Sequence, residues 1–154
     1  FVHELVSIDD DWRKNTTDAV AAQLRDAGFN VERKILPGST FWNDWTKYAY
    51  SSTNWNHRPL GVQIHALAYR SGEAWNEFGW SNAEFDSLLE EALAIADADK
   101  RREVMAKMEK LIQDEGVTIQ PYWRSLYRHM VPGLVGADMH ISFEIYPYKL
   151  GFAA

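Results

Sequence analysis

Apolar and polar positions along this chain change period several times, and each change predicts an element. Glu4-Leu5-Val6-Ser7-Ile8 is a short, partly β-branched run followed by three aspartates, which suits a buried strand ending at a loop. A helix is predicted next, capped by Asn15 or Thr16, with Val20, Leu24 and Ala27 on one face and Gly28 as the left-handed residue that ends it. Phe29 can then close back onto Leu24. Val31, Arg33 and Ile35 alternate with Glu32 and Lys34 until Pro37-Gly38 breaks the run, so a second strand follows. Strand, helix and strand at this spacing imply a right-handed crossover and parallel pairing.

Beyond the second strand, Ser39 or Thr40 can cap a short helix in which Phe41 and Trp45 meet at i, i+4. Tyr48 to Thr53 reads as extended, and Leu60 to Tyr69 as helix. Ser81 and Glu84 are spaced as a capping box ahead of a stripe of Phe85, Leu88, Leu89, Ala92 and Ala96. A further helix is predicted from Asp99, with Val104, Met108, Leu111 and Ile112 as its apolar face, Glu103 and Lys107 at i, i+4, and Gly116 as terminator. Val117 to Trp123 and Tyr127 to Val131 read as strands. Pro132-Gly133 turns the chain toward a last extended piece near Ile141 to Tyr148.

Bulk properties narrow the functional classes. In 154 residues, 46% are apolar, enough for one sizeable core. Lys and Arg number 16 against 22 for Asp and Glu, a net charge of −6, which argues against a nucleic-acid partner. The chain has no cysteine, so disulfides, thiolate metal sites and a cysteine nucleophile are excluded together. No apolar run approaches the length that spans a bilayer. The chain opens at Phe1 without an initiator Met or a leader pattern, so it is expected to be part of something longer.

Candidate chemistry concentrates in two loops. Thr53-Asn54-Trp55-Asn56-His57-Arg58-Pro59 gathers an aromatic, amides, an imidazole and a guanidinium, a set suited to facing a polar ligand. The bland alternative is a guanidinium that forks onto nearby carbonyls. Trp75-Asn76-Glu77-Phe78-Gly79-Trp80 contains an Asn-Glu pair like that of some retaining glycosidases, but no second glutamate occupies a comparable setting. Asn76 is expected to bond loop backbone or ligand, and Glu77 to be solvated or paired with an arginine. The seven tryptophans suit either stacking on a ligand or filling a core. Five histidines show no metal-binding spacing and no nucleophile elbow is present, so no metal, no cofactor and no catalysis are expected. Asp86 and Arg102 read as surface or inter-helix ion pairs.

The order Trp75, Asn76, Trp80; Phe85, Asp86, Leu88, Leu89; Asp97, Asp99, Arg101, Arg102; and Val117-Thr118-Ile119-Gln120-Pro121-Tyr122 resembles the C-terminal lobe of the peptide/opine/nickel family (family 5) of solute-binding proteins that feed ABC importers. The resemblance implies an α/β fold, a lobe like that of type II periplasmic-binding proteins, with a mixed sheet flanked by helices. It implies a second lobe over residues 1–130 and a segment over 131–154 that returns toward the first lobe. It also implies a binding protein and not an enzyme, periplasmic or held outside the cell at the membrane, that passes a peptide-, opine- or sugar-like solute to membrane permease subunits. Trp55, Asn56, His57 and Arg58 would line the solute site, with Asn76 and Trp80 behind them. In peptide-binding relatives the corresponding loop carries an aspartate for the ligand's α-amino group. Here Arg58 precedes Pro59 and no acid is present, which points to solutes bearing carboxylates or hydroxyls. Two other classes compete: a carbohydrate-binding or glycosidase-like domain using Glu77, and a stand-alone protein-interaction module.

Overall fold

The computed structural model describes residues 1–153. Strand β1 (His3–Ile8) and strand β2 (Val31–Leu36) pair in parallel, His3 opposite Val31 through Ile8 opposite Leu36. Helix α1 (Asp11–Asp26) makes the connection, since a tight turn cannot join parallel strands. Tyr50 to Ser52 then returns along the other edge of β1. Val6 donates its N–H to the Tyr50 carbonyl at 3.0 Å and accepts from Ser52 at 2.8 Å, with Val6 and Ser51 bridged in parallel.

Both faces of β1 are covered, which is why its last four residues are buried without interruption. Leu5 packs with Val31 and Ala21 under α1, while Val6 and Ile8 pack with Phe41 of helix α2 (Gly38–Asp44). Arg33 ties these layers together. Its Nε donates to Asp18 Oδ1 at 2.9 Å, and its terminal nitrogens donate to the Leu5 carbonyl and to Ser7 Oγ, each at 2.7 Å. Asp18 is held below the ordinary carboxylate range by its bonds to Arg33 and Lys14, which outweigh desolvation.

A second core is helical. Helix α3 (Gly61–Ile64) runs into a π-helical turn over His65–Tyr69, followed by helix α4 (Ala83–Ala94) and helix α5 (Ala98–Asp114). Val62, Phe85, Leu89, Ala92, Val104, Met108 and Ile112 form its buried centre. Last, β3 (Leu134–Val135) pairs antiparallel with β4 (Gly151–Phe152). Parallel and antiparallel pairing thus occur in two small sheets within an α/β chain. Gly136 has φ +79° and lies so close to the Lys149 backbone that an added Cβ would collide with that carbonyl.

The two glycine stops act as expected. After α1, Phe29 N–H bonds the Leu24 carbonyl and Gly28 N–H the Arg25 carbonyl, with Gly28 at φ +94°. The same pair of bonds ends α5, from Val117 to Ile112 and from Gly116 to Gln113.

Helix starts differ from expectation, and two of the predicted caps, Thr16 and Ser81, bond elsewhere. Helix α1 begins at Asp11, and the hydroxyls of Thr16 and Thr17 bond back to the carbonyls of Trp12 and Arg13 inside it. Its buried face is Thr17 and Ala21, with Ala27 exposed. Pro37 stands at the cap position of α2, where neither Ser39 nor Thr40 serves. Ser81 Oγ bonds Ser71 Oγ, so Asn82 caps α4 by accepting from Phe85 N–H at 2.9 Å. Ala96 lies past the end of α4. Asp97 caps α5 through the amides of Asp99 and Lys100.

Charge pairing departs from expectation too. Asp86 accepts the Ser71 N–H and is in no ion pair among the described residues, whereas Arg102 pairs with Asp99 as a surface pair would. The i, i+4 pair seen on α5 is Lys110–Asp114, not Glu103–Lys107.

The strands expected at 117–123 and 127–131 do not pair with any strand among the described residues, nor does 141–148, which ends in a 3-10 turn at Pro147–Lys149. Alternating apolar residues supply a strand's faces but not its neighbour, and these side chains stand outward: Trp123 is 88% exposed and Tyr127 77%. Arg128 organises the region that follows, donating to the carbonyls of Ala137, Asp138, Phe143 and Glu144.

His65 sits in the π-helical turn against the rings of Tyr69 and Phe85, its Nδ1 buried without a partner among the described residues. Desolvation lowers its pKa to about 4 from the model-peptide value near 6.5. The unfolded chain therefore binds a proton at this site between those values when the folded chain does not. Stability is fully present above pH 6.5, falls as pH drops toward 4 and levels off below, by up to about 3 kcal/mol. Urea midpoints across this range should show the slope, and His65→Met should flatten its share of it. Phe85→Ala should cost about 3–5 kcal/mol in the same assay.

Candidate functional site

The loop 53–58 follows the edge segment that pairs with β1, so it leaves the sheet at the carboxyl ends of the parallel strands. Arg13, in the first turn of α1 and thus also just beyond β1, donates from Nε to Asn54 Oδ1 at 2.6 Å and pins the loop there. The carboxyl edge of a parallel sheet is where open α/β folds place ligands.

Glu77 anchors the same loop from the other side. Thr53 Oγ1 donates to Glu77 Oε1 at 2.8 Å, and Trp55 Nε1 donates to the same oxygen at 2.9 Å. Burial raises the Glu77 carboxyl above the usual carboxylate range, and the two donated bonds oppose that rise. No Lys, Arg or His nitrogen among the described residues lies within 4.0 Å of it. Glu77 is therefore bonded to Thr53 and Trp55 and half-buried, and it has no arginine partner among the described residues, where the sequence had suggested a solvated or arginine-paired carboxylate. Tyr69 is pushed up to about 12, first by burial and then by the Glu77 charge, against a bond with Thr118.

Four indoles line up around this clasp. Ring centroids of Trp42 and Trp45 are 5.9 Å apart, Trp45 and Trp55 6.0 Å, and Trp55 and Trp75 5.8 Å, with interplanar angles of 59–69°. Successive rings meet as corners and not as a flat stack. Trp42 is 43% exposed and Trp75 47% exposed at the two ends.

The residues singled out in the sequence fall into two groups. Trp55 is half-buried in the clasp, while Asn56 and His57 are exposed beside it, His57 edge-on to Phe143 at 5.6 Å. Arg58 is half-buried, and its guanidinium reaches only the carbonyls of Asn56 at 3.1 Å and His57 at 3.3 Å, with no carboxylate partner among the described residues. Asn76 and Trp80 lie toward the helical core. Asn76 Nδ2 donates to the carbonyls of Arg70 and Trp80 and so shapes its own loop, leaving a buried Oδ1 without a partner among the described residues. Trp80 packs edge-on against Phe85 and donates to Glu115 Oε2. Thr53, Trp45, Trp75 and the structural role of Glu77 were not legible as a unit, because the bonding partners stand 22 and 24 residues apart. An open groove of about 640 Å³ lies elsewhere, between α1 and residues Ile119, Pro121 and Tyr122, and no residue of loops 53–58 or 75–80 lines it. No group of three or more His, Asp or Glu side chains able to hold a metal occurs among the described residues.

Known proteins resemble the chain in sequence and in fold. It is 32% identical over 128 residues to the dipeptide-binding protein DppE of Bacillus subtilis, covering 79% of this chain and 24% of that protein. It is 33% identical over 93 residues to YgiS, a probable deoxycholate-binding periplasmic protein of Escherichia coli, covering 60% of this chain and 17% of that protein. The solved structure of the oligopeptide-binding protein AppA of Bacillus subtilis, in complex with a nonapeptide, superposes with a TM-score of 0.74 at 18% identity, over all of this chain and 32% of AppA. No family model matches. The chain is similar to part of the peptide- and nickel-binding proteins that serve ABC importers (family 5). It spans about a quarter or less of the length of these curated relatives. They are binding proteins and not enzymes, which bears out the expectation of binding over catalysis.

The clasp makes a direct prediction. Glu77→Leu leaves Thr53 Oγ1 and Trp55 Nε1 without their acceptor and should cost about 1–3 kcal/mol, whereas Glu77→Gln keeps an acceptor and should cost less than about 1 kcal/mol. Thermal melting of the two variants beside the parent checks the difference.

Proposed function

We propose that this chain is the second-lobe portion of a solute-binding protein that captures a peptide-, opine- or similar small polar solute between two lobes and delivers it to the permease subunits of an ABC importer. In this reading residues 1–130 form the lobe and residues 131–154 run back toward the first lobe. The protein works in the periplasm or outside the cell at the membrane. No helix among the described residues is long and apolar enough to cross a membrane.

The observation that carries the reading is the position of loop 53–58 at the carboxyl edge of the parallel strands, pinned by Arg13 on one side and Glu77 on the other. A loop held at both ends presents Trp55, Asn56, His57 and Arg58 with little ordering left to do on binding, which favours affinity. Asn76 and Trp80 stand behind it and shape the neighbouring loop. A solute that contacts both lobes only in the closed arrangement shifts the hinge equilibrium toward closure. One lobe alone binds weakly, because half of the contacts and the closed cavity are missing.

Arg58 is the residue most directly testable. Its guanidinium is committed only to two neighbouring carbonyls and can take a solute carboxylate. In the complete binding protein, Arg58→Ala should weaken an acidic solute by about 2 kcal/mol or more, measured by titration calorimetry. Unchanged affinity removes Arg58 from the site. The solute itself is found by a thermal-shift screen of peptides, opines, oligosaccharides and nickel complexes, in which binding raises the melting temperature by linkage. If no solute of any class shifts the melting temperature, the importer reading fails.

A further inference from the structure

Glu77 poses an energetic problem that the loop clasp does not solve. One carboxylate oxygen, Oε1, takes both donors, from Thr53 and Trp55. The other oxygen makes no hydrogen bond among the described residues, yet it is absent from the buried side-chain atoms that lack a partner, so it retains access to solvent. A largely buried carboxylate without a cation is costly. A cation arriving with the solute relieves that cost.

The surroundings say which cation. Trp75 shares a tight turn with Glu77, whose N–H bonds the Trp75 carbonyl at 2.9 Å. Trp55, bonded to Glu77, lies 5.8 Å from Trp75 and 6.0 Å from Trp45, with the rings inclined by 59° and 63°. Indoles packed at these angles around a carboxylate bring aromatic rings and a negative charge together, the pairing that attracts cations of low hydration. A primary ammonium needs acceptors for each of its N–H groups, and a guanidinium fork needs both carboxylate oxygens. Here one oxygen is already filled by two donors. A methylated ammonium has few or no N–H groups to satisfy, and a carboxylate among aromatic rings suffices for it.

We propose that Glu77 with Trp45, Trp55 and Trp75 forms a receptor for a methylated ammonium group carried by the solute. The proposal rests on the importer reading above and names the solute's cationic end. Arg58, on the same loop, would take an anionic end, which makes a zwitterion with a methylated nitrogen the fitting class.

Titrate the complete binding protein with choline, with its uncharged carbon isostere 3,3-dimethylbutan-1-ol and with ethanolamine, following tryptophan fluorescence and heat. Choline should bind about tenfold or more tightly than either of the others. Glu77→Gln keeps the acceptor for Thr53 and Trp55 and should weaken choline about tenfold while leaving the isostere unchanged. Should that variant fail to fold, Trp75→Leu, at a half-exposed position, should weaken choline in the same way. Choline binding no better than the isostere, or equally well to either folded variant, overturns the proposal. Ethanolamine binding as tightly as choline overturns the methylated assignment. A screened solute without a cationic nitrogen that binds parent and Glu77→Gln protein alike also overturns it while leaving the importer reading intact. Choline binding lost in Glu77→Gln upholds it even if no solute closes the two lobes, the result that defeats the importer reading.

Discussion

Parallel pairing of β1 with β2 is the constraint on which the rest depends. Parallel strands need a crossover, and the crossover here is α1, which covers one face of the sheet while α2 covers the other. Burial on both faces leaves no room for charge in β1 beyond its first residues. It accounts for the Arg33 network, whose guanidinium reaches from β2 to Asp18 on α1 and to Leu5 and Ser7 on β1. The same pairing brings the start of α1, the end of β2 and the edge segment at Tyr50 to Ser52 to one rim. Loop 53–58 leaves from that rim.

The second half of the molecule is coupled to this rim through a few polar bonds. The loop 75–80 carries Glu77, which clasps Thr53 and Trp55, and also Asn76 and Trp80, which are set against the helical core by bonds to Arg70 and Glu115. One short loop therefore links the sheet's functional edge to the packing of Phe85 and its neighbours. Placing a carboxylate there sacrifices some solvation, and the indoles around it sacrifice some burial. Both features suit a face that is completed by a bound solute, in keeping with the binding proteins this chain resembles.

Much of the fold was legible from local signals. The alternation at Val31, Arg33 and Ile35, the stripe of Phe85, Leu89 and Ala92, and the stops at Gly28 and Gly116 all rest on residues within a turn or two of one another. Helix starts were legible only to within a few residues, because Ser81 and Thr16 had other partners for their hydroxyls. The run 117–131 carries strand composition but needs a neighbouring strand that lies beyond any local pattern. For the site, the loop residues could be named from their chemistry and from the family resemblance. The Glu77 clasp could not, since nothing in the spacing of Thr53, Trp55 and Glu77 announces that one oxygen will serve two donors.

Hydrogen–deuterium exchange on the complete binding protein, with and without its bound solute, most directly tests whether the rim of the parallel sheet is the solute face. Solute should slow exchange at residues 53–58 and 75–80 and leave the amides of α1 and residues 119–122 unchanged. Slowing confined to the groove between α1 and Tyr122, with loop 53–58 exchanging as before, would contradict that assignment.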